Sequence, residues 1–137
     1  KKITKEELII QSERVYNFQR VFQLRLGKGT RKHHNIPLRA IGPVFPEEWE
    51  ARKDYYDNEL KAAGIDPENL STEEKIEKLQ KYRLSQWEQL VDAVYKRRGW
   101  NKNGIPTIET LRRLGIDYPE VVEVVKRHLK PEDEWES

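Results

Sequence analysis

Apolar residues recur three and four positions apart along most of the chain, a spacing that predicts helices rather than strands. Near the start, Thr4 and Glu7 have the spacing of a capping box. The pattern predicts a first helix from about Lys5 to Leu26, ended by Gly27, with an apolar face that packs against a partner helix. The main stripe of this face is Leu8, Val15, Phe18, Phe22 and Leu26, and Ile9, Val21 and Leu24 widen it.

A helical hairpin is the strongest pattern in the second half of the chain. Its first helix begins at Ser85, which with Glu88 has capping-box spacing, and it ends at Gly99 after a basic last turn. Its second helix carries Pro106 in the first turn, where a missing N–H costs nothing, and is closed by Gly115. Both ends of each helix are therefore predicted from residue types with a physical reason to be there.

The segment 36–46 has a different composition, because it contains three prolines and a glycine. These residues disfavour a helix, and we expect an extended connection that crosses the surface. Pro46 then begins a helix that Gly64 ends. The middle of the chain is strongly charged and is predicted to be an exposed helical pair.

Two further helices complete the predicted fold. Ser71 and Glu74 have the spacing that starts a helix, and the sequence leaves open whether this helix continues through Tyr82–Ser85. Asp117 and the Pro119 that follows start a last helix rich in valine, and the polar tail 130–137 is expected to fray. The sum is a single all-α domain over residues 1–137, with about six helices and one proline-rich extended crossing.

Composition narrows the function classes. The 26 basic and 24 acidic residues nearly cancel, so the formal charge of +2 gives no general field for nucleic acid or an anionic membrane. No apolar run approaches the roughly 20 residues that span a bilayer, and we expect a cytoplasmic protein. The absence of cysteine excludes thiolate catalysis and cysteine ligands on this chain. The absence of methionine favours a domain cut from a longer polypeptide.

His33 and His34 are the one pair that resembles a metal site. Adjacent histidines can both bind a metal, but no third histidine and no carboxylate lies in the same loop. We therefore predict no metal site and two exposed loop histidines. If they act, proton transfer or contact with an anion near a partner domain is the favoured role.

The first helix and the loop after it are locally basic. This could form a surface for an anionic cofactor, a partner domain or RNA. Because Phe18 and Phe22 are assigned to the core stripe, stacking on bases is not predicted. Trp100 is interpreted as a hydrophobic lid on the hairpin. No nucleophile motif is present, so no catalytic residue is predicted. The basic residues are Arg14, Arg20, Arg25, Lys28, Arg31, Lys32 and Arg39.

Two ordered motifs resemble the C-terminal region of the tungsten-dependent aldehyde ferredoxin oxidoreductase family. The first, from Glu13 to Gly27, has the pattern Glu-Arg-x-x-Asn-x-x-Arg-x-Phe-x-x-Arg-x-Gly and is followed by a basic loop and Pro37. The second runs from Tyr95 through Arg-Gly-Trp and Gly-x-Pro-Thr to Leu-Gly at Gly115. Either motif alone is weak, and the ordered pair is specific.

This resemblance implies a piece of a larger enzyme that oxidises aldehydes to carboxylic acids with ferredoxin as electron acceptor. In that family tungsten, or molybdenum, is held by two pterins beside a [4Fe–4S] cluster. The fragment is then expected to carry no cofactor or catalytic residue, to be inactive alone, and to pack on upstream domains of the same polypeptide. A homo-oligomer is a further alternative.

Four residues of the basic helix and loop are then candidates for facing the partner domain or cofactor: Arg25, Arg31, His33 and His34. The family often has two acidic residues where this chain has the histidine pair, and residues 46–82 are interpreted as a helical insertion. Because of both departures, the substrate is not predicted. The related branch of the family, which reduces aromatic acyl-CoA thioesters, stays an alternative. The alternative function is a free-standing helical interaction module, which would not expose a large apolar face.

Overall fold

The computed structural model describes residues 2–137, which form six α-helices joined by loops and short 3₁₀ turns. This part of the chain contains no strand, and one isolated antiparallel bridge joins Trp100 to Pro106. None of its helices is both long and apolar enough to cross a bilayer. The predicted all-α class is confirmed. The helices are α1 (Lys5–Arg25), α2 (Pro46–Glu50), α3 (Lys53–Ala62), α4 (Thr72–Arg98), α5 (Ile108–Leu114) and α6 (Pro119–Lys126).

The chain divides into two compact units. The terminal unit consists of the chain up to Asn35 together with Asp92–Ser137, and the middle unit is Ile36–Val91. The segment 46–82 lies within the middle unit. Its status as an insertion into the family's pattern stays a prediction, as does the single domain over residues 1–137.

The core of the terminal unit is built by α1, α5, α6 and the loop before α5. The predicted bounds of α1 are confirmed to within one residue, and the capping box of Thr4 and Glu7 is formed. The apolar faces of α5 and α6 pack against α1. As predicted, α5 ends at Gly115 and α6 begins with Pro119. The buried residues are Val21, Leu24, Ile105, Leu111, Leu114, Ile116, Val121 and Val125.

The predicted core stripe of α1 is wrong. The five residues of that stripe are all more than half exposed, and α1 instead buries Asn17, Arg20, Val21 and Leu24. The helix has two apolar arcs, and α5 and α6 pack on the one that contains Val21 and Leu24. The exposed residues, here called the α1 stripe, are Leu8, Val15, Phe18, Phe22 and Leu26.

Of the two alternatives left open at Tyr82–Ser85, the structure shows the continuous helix: α4 runs without interruption from Thr72 to Arg98, so the capping-box spacing at Ser85 does not begin a helix. No helix-breaking residue precedes Ser85, so the chain continues in the helical conformation. The capping box at Ser71 and Glu74 is formed, with bonds of 2.7 and 3.1 Å. The helix ends as predicted before Gly99, which adopts a left-handed φ of +70°.

The start of α5 differs from the prediction by two residues. Pro106 precedes the helix and pairs with Trp100, and the N-cap is Thr107, whose hydroxyl accepts from the Thr110 N–H. A threonine hydroxyl satisfies a free N–H of the first turn, which proline cannot do. In α6 the N-cap position is occupied by Tyr118, so the predicted cap Asp117 lies one residue too early to cap the helix.

The middle unit has a core formed by Trp49, Leu60, Ile76 and Leu79. The helix predicted from Pro46 to Gly64 is divided into α2 and α3, because Arg52 leaves the helical conformation at φ −136° and ψ 41°. The predicted extended crossing contains a 3₁₀ turn at Leu38–Ile41.

The tail does not fray as predicted. A 3₁₀ turn forms at Pro131–Asp133, and the Asp133 carbonyl accepts from the Lys102 N–H at 2.8 Å. The indole N–H of Trp135 donates to the Trp100 carbonyl at 2.7 Å. These two bonds fix the tail on the loop before α5.

Candidate functional site

A buried guanidinium lies at the centre of the terminal unit. Arg20 is only 3% exposed, and its Nε donates to the Gly104 carbonyl at 2.8 Å. Its Nη1 lies 2.7 Å from His34 Nε2, and its Nη2 donates to the Tyr95 hydroxyl at 3.3 Å. Burial lowers the pKa of Arg20, and the nearby Tyr95 opposes this effect. Within residues 2–137 no carboxylate pairs with this cation, which is an unusual arrangement for a buried charge.

Local sequence explains how the loop before α5 approaches Arg20 so closely. Gly104 has a φ of +77°, which glycine adopts without steric cost. A Cβ at this position would lie 2.2 Å from Arg20 Nη2 and 2.8 Å from Tyr95 Cζ. The glycine therefore provides both the turn and the space for the guanidinium.

His34 has a defined tautomer in this cluster. A guanidinium only donates hydrogen bonds, so His34 Nε2 must accept from Arg20. The proton of the neutral ring is then on Nδ1, which donates to the Tyr95 hydroxyl at 2.6 Å. Burial lowers the pKa of His34, and the charges of Arg20, His33 and Arg98 lower it further. The cluster is therefore built for a neutral histidine.

Aromatic rings stack with the cations of the cluster. Arg20 Cζ lies 4.6 Å from the Trp100 ring centroid and 5.6 Å from that of Tyr95. Arg98 Cζ lies 5.2 Å from the Trp100 centroid and 4.6 Å from that of Tyr16. Trp100 is buried, as expected of a lid, but its ring contacts two cations rather than apolar residues alone. Such contacts contribute more when the cation is desolvated.

Of the four predicted site residues, His34 and Arg31 lie near this cluster. Arg31 Cζ is 5.8 Å from the Tyr95 ring centroid, and Arg31 Nη1 contacts Asp92 Oδ1 at 2.6 Å and the Lys102 carbonyl at 3.0 Å. Arg31 thus ties the basic loop to α4 and to the loop before α5. His34 is half-buried rather than exposed, so the expectation of two exposed histidines is wrong for His34.

The other two candidates, His33 and Arg25, lie away from the cluster. His33 is exposed, and its Nδ1 is 2.9 Å from the Thr30 hydroxyl within the same loop. Arg25 is exposed on α1, where it helps to line a groove. A role for any of the four in facing a cofactor or partner domain stays a prediction.

Sequence reasoning missed Arg20 and Tyr95 as members of one site. Arg20 was placed among the surface cations, although it lies next to Val21 and four residues before Leu24, both of which are buried. That position between core residues was the available signal. The contacts of Arg20 come from residues 14 to 84 positions away along the chain, and no local pattern predicts them.

The α1 stripe forms a second candidate surface. Phe18 is 53% and Phe22 57% exposed, and together with Arg25 and residues of α6 they line an open groove of about 250 Å³. The argument that these rings are in the core, and so cannot stack on bases, is therefore wrong. The absence of nucleic-acid binding stays a prediction that now rests on net charge.

The residues present do not fit the metal groups that the resemblance implies. The chain has no cysteine for an iron–sulfur cluster. In the part of the chain that the structure describes, no group of three His, Cys, Asp or Glu side chains is close enough to hold a metal ion. Arg20 bonds through three of its five N–H groups to Gly104, His34 and Tyr95, and a guanidinium offers no lone pair to a metal. Any such group in a whole enzyme would need ligands from other residues.

Comparison with known proteins shows what class of protein this is. A family model described as "Aldehyde ferredoxin oxidoreductase, domains 2 & 3" matches residues 1–116, which contain α1 to α5 and the whole Arg20 cluster. The chain is thus a helical region of the kind found in a family of oxidoreductases. It belongs to the aldehyde ferredoxin oxidoreductase family, as its two motifs indicated. Searches of curated proteins and of solved structures gave no match.

Proposed function

We propose that this chain is the C-terminal helical part of an enzyme that oxidises aldehydes to carboxylic acids and passes the electrons to ferredoxin. The observation that carries the proposal is the family match over residues 1–116. The two-electron oxidation would require tungsten or molybdenum bound by pterins, together with a [4Fe–4S] cluster, and residues outside this chain would hold these groups. The isolated chain has no activity, because its residues do not provide ligands for these groups.

The α1 stripe supports the view that the chain packs against another domain of the same enzyme. The family model describes domains 2 and 3, so the enzymes that it represents have at least one further domain. All five stripe residues are more than half exposed, from 53% for Phe18 to 61% for Leu26. Exposed large apolar residues on one face of a helix mark an interaction site. We therefore favour a domain of a larger enzyme over a free-standing interaction module.

The role of the Arg20 cluster in this proposal is structural support. It joins α1, the basic loop and the end of α4 around one guanidinium. Because these elements are held together, the α1 stripe is presented on a rigid helix to the neighbouring domain.

The direct test is an activity measurement on the native gene product purified without oxygen. We expect ferredoxin or a viologen dye to be reduced when an aldehyde is added, and the chain of residues 1–137 alone to give no reduction. Reduction of an aromatic acyl-CoA thioester by reduced ferredoxin, without aldehyde oxidation, would assign the enzyme to the related branch instead. A product inactive in both assays, yet loaded with metal and pterin, would contradict both assignments.

A further inference from the structure

His34 lies at the end of the basic loop and bonds to two helices of the terminal unit. It is next to Asn35, the last residue before the chain passes into the middle unit. Its two ring nitrogens join two helices, since Nε2 accepts from Arg20 of α1 and Nδ1 donates to Tyr95 of α4. The 2.7 and 2.6 Å distances are those of strong hydrogen bonds.

Only one protonation state of His34 satisfies both contacts. Protonation would place an N–H on Nε2, so that two donors and two positive charges would face each other across the 2.7 Å between His34 and Arg20. Arg20 cannot adjust by losing its proton or by turning away, because arginine stays charged and this side chain is also bound to Gly104 and Tyr95. The proton would therefore break the contact.

The charges around His34 do not offset this effect. Asp92 of α4 is paired with Arg31, and no carboxylate bonds to His34 in the described chain. The charged and titratable groups that act on the imidazole are Arg20 of α1, the adjacent His33, and Tyr95 and Arg98 of α4, while Arg31 of the same loop lies near the Tyr95 ring.

We propose that His34 is a pH-dependent latch, which fixes the end of the basic loop to α1 and α4 when neutral and releases it when protonated. The release is local, because Arg31 holds the earlier part of the loop through Asp92 and through the bond of its backbone N–H to the Asn103 carbonyl at 2.9 Å. The segment that loosens is residues 33–36, where the chain passes from one unit to the other. This inference uses the geometry of the terminal unit alone and does not depend on the proposed oxidoreductase activity.

Hydrogen exchange of the expressed gene product, followed by mass spectrometry, tests the latch. Exchange of peptides that contain residues 33–36 is measured between about pH 8 and pH 5, the range in which histidine titrates, and corrected for intrinsic rates. Because the released ring takes up one proton that the latched ring excludes, protection should fall by up to roughly tenfold per pH unit below the ordinary histidine pKa of about 6.5, and level off at the lowered pKa of the latched ring. Peptides of α3 in the middle unit should show no such step.

Three variants separate the latch from other effects. In His34→Gln, the side-chain oxygen accepts from Arg20 at every pH, and in His34→Asp a carboxylate does so, hence both should lose the step. His33→Gln is the matched control, because it removes the exposed neighbouring histidine and should keep the step. A step that persists in either His34 variant, that disappears in His33→Gln, or that is absent from the wild-type protein would overturn the proposal. Should one His34 variant fail to fold, the other and the control still decide.

Discussion

Replacing Gly104 by alanine tests the buried arginine cluster most sharply. The new Cβ would lie 2.2 Å from Arg20 Nη2 and 2.8 Å from Tyr95 Cζ. A terminal guanidinium nitrogen on a flexible side chain could move aside at low cost. Here it cannot, because Arg20 is held by the Gly104 carbonyl and by His34, and Tyr95 is a rigid ring. The substitution must therefore displace the cluster.

The magnitude separates into two parts. A left-handed conformation costs an L-residue about 1–2 kcal/mol, and overpacking of a filled core costs about 1–3 kcal/mol. Gly27→Ala is the matched control: it has nearly the same φ, +74° against +77°, but nothing lies within 4 Å of its Cβ. We expect Gly27→Ala to lose about 1–2 kcal/mol of stability and Gly104→Ala roughly 2–5 kcal/mol.

Native-state hydrogen exchange of amides in α1 and α5 measures this difference, because it reports the free energy of opening of the terminal unit separately from the middle unit. The reasoning predicts that Gly104→Ala lowers this free energy by clearly more than Gly27→Ala does. Equal losses in the two variants would refute the close contact of Gly104 with Arg20 and Tyr95.

Four further substitutions give three independent predictions. Trp100→Phe removes the indole N–H that donates to Asn17 Oδ1 at 2.8 Å and leaves this buried oxygen without a donor. The free energy of unfolding in urea should therefore fall by about 1–3 kcal/mol. A variant as stable as the wild-type protein would contradict this hydrogen bond. Ser71→Ala removes the N-cap of α4 and should lower the unfolding free energy by about 1 kcal/mol in the same assay. Ser85→Ala lies inside α4 and should be neutral or stabilise the chain by up to about 0.5 kcal/mol. Equal losses in the two variants would indicate that a helix does begin at Ser85. Phe22→Asp in the separately produced chain should leave its unfolding free energy unchanged but weaken its association with the separately produced remainder of the enzyme in size-exclusion chromatography. Unchanged association would exclude the α1 stripe as the contact.

Local signals predicted local structure well. The capping boxes at Thr4 and Ser71 and the helix ends at Gly99 and Gly115 depend on residues within one turn of each other, and all of them form. The false capping box at Ser85 shows the limit of such a signal. Its spacing is correct, but no preceding residue stops the helix, so α4 continues through it.

The buried face of α1 could not be predicted from periodicity. The helix has apolar residues on two arcs, and the arc with more large residues, including Phe18 and Phe22, is the exposed one. The choice depends on where α5 and α6 lie, which is information from distant parts of the chain. The excess of apolar residues on the other arc is explained if that arc contacts a neighbouring domain.

The candidate site was predicted only in part. His34 and Arg31 were found because they lie in an unusual basic loop, whereas Arg20 was treated as a surface cation. Its burial depends on acceptors supplied by Gly104 and Tyr95, far along the chain. Polar residues in a core are identified by their partners, and those partners are set by tertiary structure.

The most direct test of the proposed function is elemental analysis of the native gene product purified without oxygen, combined with its intact mass. The proposal predicts a polypeptide larger than the 16.4 kDa of this chain that contains iron and either tungsten or molybdenum. A metal-free product of 16.4 kDa would contradict it and would leave the chain as a helical domain that shares only the family's sequence and fold.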